Sequence, residues 1–235
     1  MDDSIKAKYD LVFGFSGGVS KVRLNGKYGI IDKMGNEVAP LIYDSTYPVR
    51  SFLNGLACFR RDGKWGFIDR AGKEAIPFIY DKAHDFICDW AIVTLNGKTG
   101  FIDVNGKEVF PFEYDNICHF SEGLAAVKLD GKWGFIDETG KIALPCQYDN
   151  TQGFCEDLAA VSLNHQWGYI DKTGKHVIPC IYDIAYNFNE GLAEVAIDVE
   201  SGIIDKTGKI VRDFEFDPLL LSPPGGNVEP NLNWV

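Results

Sequence analysis

Apolar and polar positions alternate along most of the chain in runs of five or six residues, broken at regular places by Asn-Gly, Asp-Gly and Asp-x-x-Gly. A period of two predicts half-buried β-strands, and Asn-Gly or Asp-Gly between two such runs predicts a two-residue hairpin turn. Leu24-Asn25-Gly26-Lys27, Leu95-Asn96-Gly97-Lys98 and Leu129-Asp130-Gly131-Lys132 are turns of this kind. Such a turn fixes register, so cross-strand partners can be counted off. Val127 then faces Gly134 and Ala125 faces Ile136. The same arithmetic pairs Val22 with Gly29, Phe59 with Gly66, Val93 with Gly100, Val161 with Gly168 and Val195 with Gly202. Large opposes small on this face, which predicts a stacked core of constant volume between neighbouring units. The following Asp-x-x-Gly-Lys predicts a longer turn, with Asp capping amides and Gly supplying positive φ. A third strand, as in Lys141 to Leu144, is expected to end at Pro145, which cannot continue a central ladder.

The pattern repeats six times. Its anchors are Tyr28-Gly29, Trp65-Gly66, Thr99-Gly100, Trp133-Gly134, Trp167-Gly168 and Ser201-Gly202, spaced by 37 residues once and 34 thereafter. Each anchor is followed by an Asp four residues on and a Gly three residues later. An aromatic-Asp pair closes each unit: Tyr43-Asp44, Tyr80-Asp81, Tyr114-Asp115, Tyr148-Asp149, Tyr182-Asp183 and Phe216-Asp217. Phe120 to Asp149 combines Gly-Leu-Ala, Gly-Lys-Trp-Gly-Phe-Ile-Asp, Gly-Lys and Pro-x-x-Tyr-Asp, and so resembles the WG (KWG) repeat family over most of the chain. The resemblance implies an all-β array, a largely bacterial distribution and a binding or scaffolding role. It carries over no catalytic residue.

Each unit therefore reads as a three-stranded antiparallel meander that cannot bury both faces alone and must stack on its neighbours. The units run over about 9–43, 44–80, 81–114, 115–148, 149–182 and 183–217, making a single repeat domain over 1–217 with a tail or cap at 218–235. An open, solenoid-like stack is the favoured assembly and a closed, six-bladed propeller-like toroid the alternative. Propeller blades usually have four strands, and 34 residues leave little room for a fourth. In an open array the first 14 residues and those after Asp217 would cover the ends.

Composition refines this picture. The formal charge of −11 disfavours a generic grip on nucleic acid or on an anionic membrane. An N-terminus opening on two acids, with no long apolar run anywhere, predicts neither a signal peptide nor a membrane span, and a cytoplasmic location. Six Cys without a Cys-x-x-Cys pair read as reduced thiols. No cofactor or metal is expected, because the four His occupy four different repeat positions and each turn offers a single carboxylate. Asp171 to Lys175 and Asp205 to Lys209 read Asp-Lys-Thr-Gly-Lys, which resembles the phosphorylated-Asp motif of P-type pumps. Recurrence of the same turn with other middle residues marks it as a capping turn.

The remaining constellation is an aromatic-cation row on the second face, with Trp65 opposite Arg60, Trp133 opposite Lys128, Tyr28 opposite Arg23, and Trp167 opposite Ser162. Exposed, it would stack sugar rings or anchor a protein partner; packed under the next unit, it would be core. Binding surfaces of repeat arrays usually sit at irregular positions. The irregular places here are the Ser45–Ser51 insertion with Tyr47 and Arg50, Trp90 in a slot otherwise filled by Leu, and His165-Gln166. The expected function is a non-enzymatic scaffold for protein–protein contact, with glycan or cell-wall binding through the Trp face as the alternative.

Overall fold

The alternating runs fold into six antiparallel β-sheets. The structure, a computed structural model, describes residues 3–46 and 52–221, so Tyr47, Arg50 and the segment from Ser222 onward lie outside the described residues. In the fourth repeat the strands are Asn116–Ile117, Leu124–Leu129, Lys132–Asp137 and Ile142–Tyr148, hydrogen-bonded in chain order. The other sheets run over 11–43, 45–80, 82–114, 150–182 and 184–216 with the same order. The chain divides into two compact halves, Met1–Glu113 and Tyr114–Val235, with sheets one to three in the first and four to six in the second.

Hairpin chemistry sets the register as expected. Val127 pairs with Gly134 and Ala125 with Ile136, and the equivalent pairs form in the other five sheets. Asp130 and Gly131 take φ of 49° and 79°, the left-handed pair that a type I′ turn demands. The second turn is also as expected. Asp137 Oδ1 accepts the amides of Thr139 at 2.8 Å and Lys141 at 3.1 Å, and Asp32, Asp69, Asp103, Asp171 and Asp205 do the same in their repeats.

Two features depart from the meander read in the sequence. Each sheet has a fourth strand, two residues long except for Asn150–Cys155, lying just after the aromatic-Asp pair. Pairing begins at the Asp itself, whose amide donates to the next long strand, as from Asp44 to the Arg60 carbonyl at 2.8 Å. Two residues are too few to show alternation, so the pattern could not reveal this strand. The last strand of each repeat, moreover, does not stop at proline. Ile142–Tyr148 runs through Pro145 as the sheet edge, with register shifts around Phe135. At an edge, the missing N–H removes no ladder bond, and a bulge absorbs the extra residues. That bulge also explains the Gly of each Trp-Gly pair: a Cβ on Gly134 would lie 2.7 Å from the Leu144 oxygen and the Cys146 nitrogen. This close approach adds to the balance against Val127 across the hairpin.

Both faces of the inner sheets are buried. Ile30, Ala39 and Tyr43 of the first sheet pack on Ala57, Phe59 and Ile68 of the second, whose other face packs Cys58, Phe67 and Ile76 on Ala91, Val93 and Ile102 of the third. In the second half, Phe135, Leu144 and Tyr148 meet Ala159, Val161 and Ile170, and Tyr169, Ile178 and Tyr182 meet Ala193, Val195 and Ile204. The Gly-Val face of each repeat thus looks back along the chain, and the Trp face looks forward. On the first sheet the backward face is covered by α1 (Asp3–Lys8), with Ile5 and the following Tyr9 seated on Val22 and Ile31.

Within each half, the aromatic-Asp pair fastens one sheet to the next. The Tyr43 ring lies 4.7 Å from Phe59 and 5.6 Å from Phe78 of the next repeat. The carboxylate beside each Tyr reaches the next hairpin: Asp81 accepts Gly97 N at 3.1 Å and Asp149 accepts His165 N at 3.2 Å. Asp81 also holds Lys64 of its own repeat at 2.5 Å, and Lys132 pairs with Asp149 in the same way. This gives the Lys of Gly-Lys-Trp-Gly its place.

Replacing Gly134 by Ala forces the bulged edge strand away and is expected to destabilise the protein by about 1–3 kcal/mol, the range for overpacking, as read from urea unfolding. Donated hydrogen bonds hold five carboxyls below their ordinary value of 3.8: first from the Thr hydroxyl of the same turn at Asp137, Asp171 and Asp205, first from the Lys ammonium at Asp81 and Asp149, with backbone amides adding to both. A carboxyl depressed by folding contributes stability above its unfolded value and loses it as pH falls through the folded one. Melting temperature is therefore expected to hold steady down to about pH 4 and to fall steeply below 3.8, with Asp137→Asn flattening part of that fall.

Candidate interaction surface

The aromatic-cation row forms in the register expected but is not an open stripe. Trp133 is 3% exposed, with the Lys128 ammonium 5.8 Å from its ring centroid, and it belongs to the core shared by the fourth and fifth sheets. Trp65 and Trp167 are half-buried against the equivalent cores, and Arg60 lies exposed opposite Trp65. In the third repeat, where both members are Thr, the Thr94 and Thr99 hydroxyls meet at 3.1 Å. Around Trp133 the forward face is a packing face, the second of the two arrangements open to the row.

The irregular places divide. Trp90 is half-buried, edge-on to Phe101 at 6.0 Å and Phe110 at 5.3 Å, so it fills the gap left by the missing Leu. His165 takes a Gly position in its hairpin at φ 65° and stays exposed, its amide held by Asp149. Trp90 and His165 are each brought to their own repeat's turn or core, and Tyr47 and Arg50 lie outside the described residues.

One buried polar group escaped the sequence reading. Lys21 is fully buried, and its Nζ lies 5.4 Å from the Phe59 ring centroid. Burial pulls its pKa down while the Asp85 carboxylate opposes that shift, and burial likewise pushes Asp85 up against the pull of Lys21. Asp85 Oδ1 also accepts the Cys58 amide at 3.4 Å. Lys21 occupies the forward-facing slot that holds Cys58, Ala126 and Ala160 elsewhere, and a cation in a run of small residues was the available signal. With no exposed surface on Lys21, the group reads as a tie between the first sheet and the loop of the third repeat. Burial also raises the thiols of Cys58, Cys118, Cys146, Cys155 and Cys180, Cys118 to about 12.

The sixth sheet is where the pattern breaks. In the first, second, fourth and fifth sheets two forward-facing slots of the last strand, Ala39 and Tyr43, Ile76 and Tyr80, Leu144 and Tyr148, Ile178 and Tyr182, are at most 5% exposed. The counterpart of the first slot is Arg212, which is exposed. Phe216, 60% exposed, is shifted by one in register, pairing with Glu200 where the earlier rings pair with the Trp slot, and so stands at the sheet edge on the opposite face. Leu192, on the same face as Arg212, is 40% exposed, and Glu194 is exposed beside it. Part of the forward face, around Leu192, Glu194 and Arg212, is thus open on the last sheet, while Ala196 and Ser201 farther along it stay buried. Substitutions at repeat slots carry the signal: Ser201 for Trp, Glu194 for Ala, Arg212 for an aliphatic residue.

Sheets that stack face to face within each half, fastened through aromatic-Asp pairs, define a tandem β-repeat protein. The chain belongs to the family of WG containing repeats, whose model matches residues 4–28, 28–65, 65–98, 100–133, 133–164 and 167–198. No curated protein matches the sequence. Among solved structures, it is similar to one described as the eukaryotic initiation factor, at 13% identity and a TM-score of 0.55, covering 88% of this chain and 65% of that one. It is also similar to Hsv2p of Kluyveromyces lactis, at 10% identity and a TM-score of 0.47 over 84% of this chain and 75% of that one. At such identity the likeness is one of fold. No helix among the described residues is long and apolar enough to cross a membrane.

Lys21 and Asp85 each offset part of the burial that opposes the other's charge, so removing either leaves the other without its opposite charge. Lys21→Met is expected to destabilise the protein. Lys21→Met combined with Asp85→Asn should cost less than the two single changes together, as read from a double-mutant cycle in urea.

Proposed function

We propose that the chain is a non-enzymatic β-repeat scaffold that docks another protein on the outward face and edge of its sixth sheet. The observation that carries this reading is the last strand of the sixth sheet: where the repeats before it bury an aliphatic residue and an aromatic ring, Arg212 and Phe216 here stand exposed, Phe216 at 60%. An exposed ring at a sheet edge, close to the exposed Val199, is apolar surface of the kind that marks interaction sites. Buried titratable groups tie sheets together, as Lys21 and Asp85 do, and the thiols with raised pKa are poor nucleophiles. Six unpaired Cys support a reducing compartment such as the cytoplasm. The glycan reading has less support, because Trp133 is shut inside a core.

Capture from native lysate tests the proposal. Wild-type protein and Met34→Glu, altered at an exposed turn far along the chain from the sixth sheet, are expected to retain the same partner, and Phe216→Glu to lose it with its circular dichroism unchanged. Equal recovery by Phe216→Glu would remove the sixth sheet as the docking face.

A further inference from the structure

We infer that the partner seated on the sixth sheet is a second copy of this chain, placed face to face about a two-fold axis. This rests on the docking role proposed above for that face and supplies its occupant.

The argument comes from three side chains lying side by side. Glu194 pairs in register with Ile203, and Ile203 with Arg212, so the three form one row across the long strands of the sheet. The same row in the fifth sheet is Ala160, Tyr169 and Ile178, a core row packed on the sheet that follows. In the sixth sheet its middle stays apolar, and the flanks become one acid and one base, both exposed. A face that met only water would gain from polar residues throughout, yet Leu192 stays apolar at 40% exposure.

An acid and a base placed evenly about an apolar centre make the face complementary to itself. Consider a two-fold axis lying in the interface along the middle strand. It carries Glu194 of one copy over Arg212 of the other, and does so twice, while Ile203 meets Ile203. This is an isologous interface, the kind that closes at a dimer, and it keeps strand directions aligned as stacked sheets prefer. Head-to-tail stacking of copies is blocked, because the backward face of the first sheet is already occupied by Ile5 and Tyr9. Three strands of six or seven residues present roughly 14 by 20 Å of face. That is small for a permanent complex, so the dimer is expected to dissociate in the micromolar range.

Sedimentation velocity of the full chain across a concentration series reads the association directly. Wild-type protein is expected to pass from monomer to dimer as concentration rises. Arg212→Glu gives each face two acids and Glu194→Arg gives each two bases, so each variant alone is expected to dimerise at least about tenfold more weakly. Mixed together they are expected to form a heterodimer, and the double swap in one chain to restore the homodimer. Both recoveries require the Glu–Arg contact across the axis and cannot come from a general loss of folding. A wild-type monomer at every concentration overturns the inference, whether residues 222–235 or a different protein covers the face; in that event capture that is lost with Phe216→Glu still upholds the docking role. Dimerisation unaffected by either single charge reversal overturns the proposed geometry.

Discussion

The array depends on what happens at each aromatic-Asp pair. The ring enters the core between two sheets while the neighbouring carboxylate turns outward, accepts an amide of the next hairpin and, in the first, second and fourth repeats, takes the Lys of its own. A sheet of three long strands is not stable with two bare apolar faces, so it needs a neighbour at a defined spacing and orientation. The ring supplies burial and the carboxylate supplies direction. One fixes how close the sheets come, the other which hairpin lies over which.

That division of labour accounts for the glycines. Where the edge strand bulges past proline it descends on the middle strand, and only a residue without a side chain leaves room, as Gly134 does. Gly72, in the second turn, meets the same demand from outside: a Cβ there would lie 2.2 Å from the Val38 oxygen of the preceding repeat, and its φ of 76° already excludes most residues. Local turn geometry and packing between sheets therefore select the same residue, a consistency across levels that lets a short repeat specify its own stacking.

The two ends of the array are treated differently. At the start a short helix lays Ile5 and Tyr9 over the face that a preceding sheet would otherwise cover. At the end the forward face keeps part of its apolar character and gains Glu194 and Arg212. A last face that leaves Leu192 exposed between charged neighbours, beside an edge strand ending in the exposed Phe216, is an unfinished junction, and it is there that the proposed contacts fall.

The strand register, both turn types and the sixfold repeat were legible in the sequence, because each is set by residues within a few positions of one another: Asn-Gly and Asp-Gly fix a hairpin, and Asp137 caps its own turn. Three other features depended on residues distant in the chain. The two-residue strand exists only because Asp44 finds the Arg60 carbonyl. Trp133 is core because the fifth sheet lies over it. Lys21 becomes a buried ion because a loop some sixty residues later brings Asp85 to it. Likewise the sequence placed the altered slots of the sixth repeat without showing that they share an uncovered face. Local backbone preference determined what each repeat is, whereas burial, which depends on what arrives from elsewhere in the chain, decided which surfaces remain to bind.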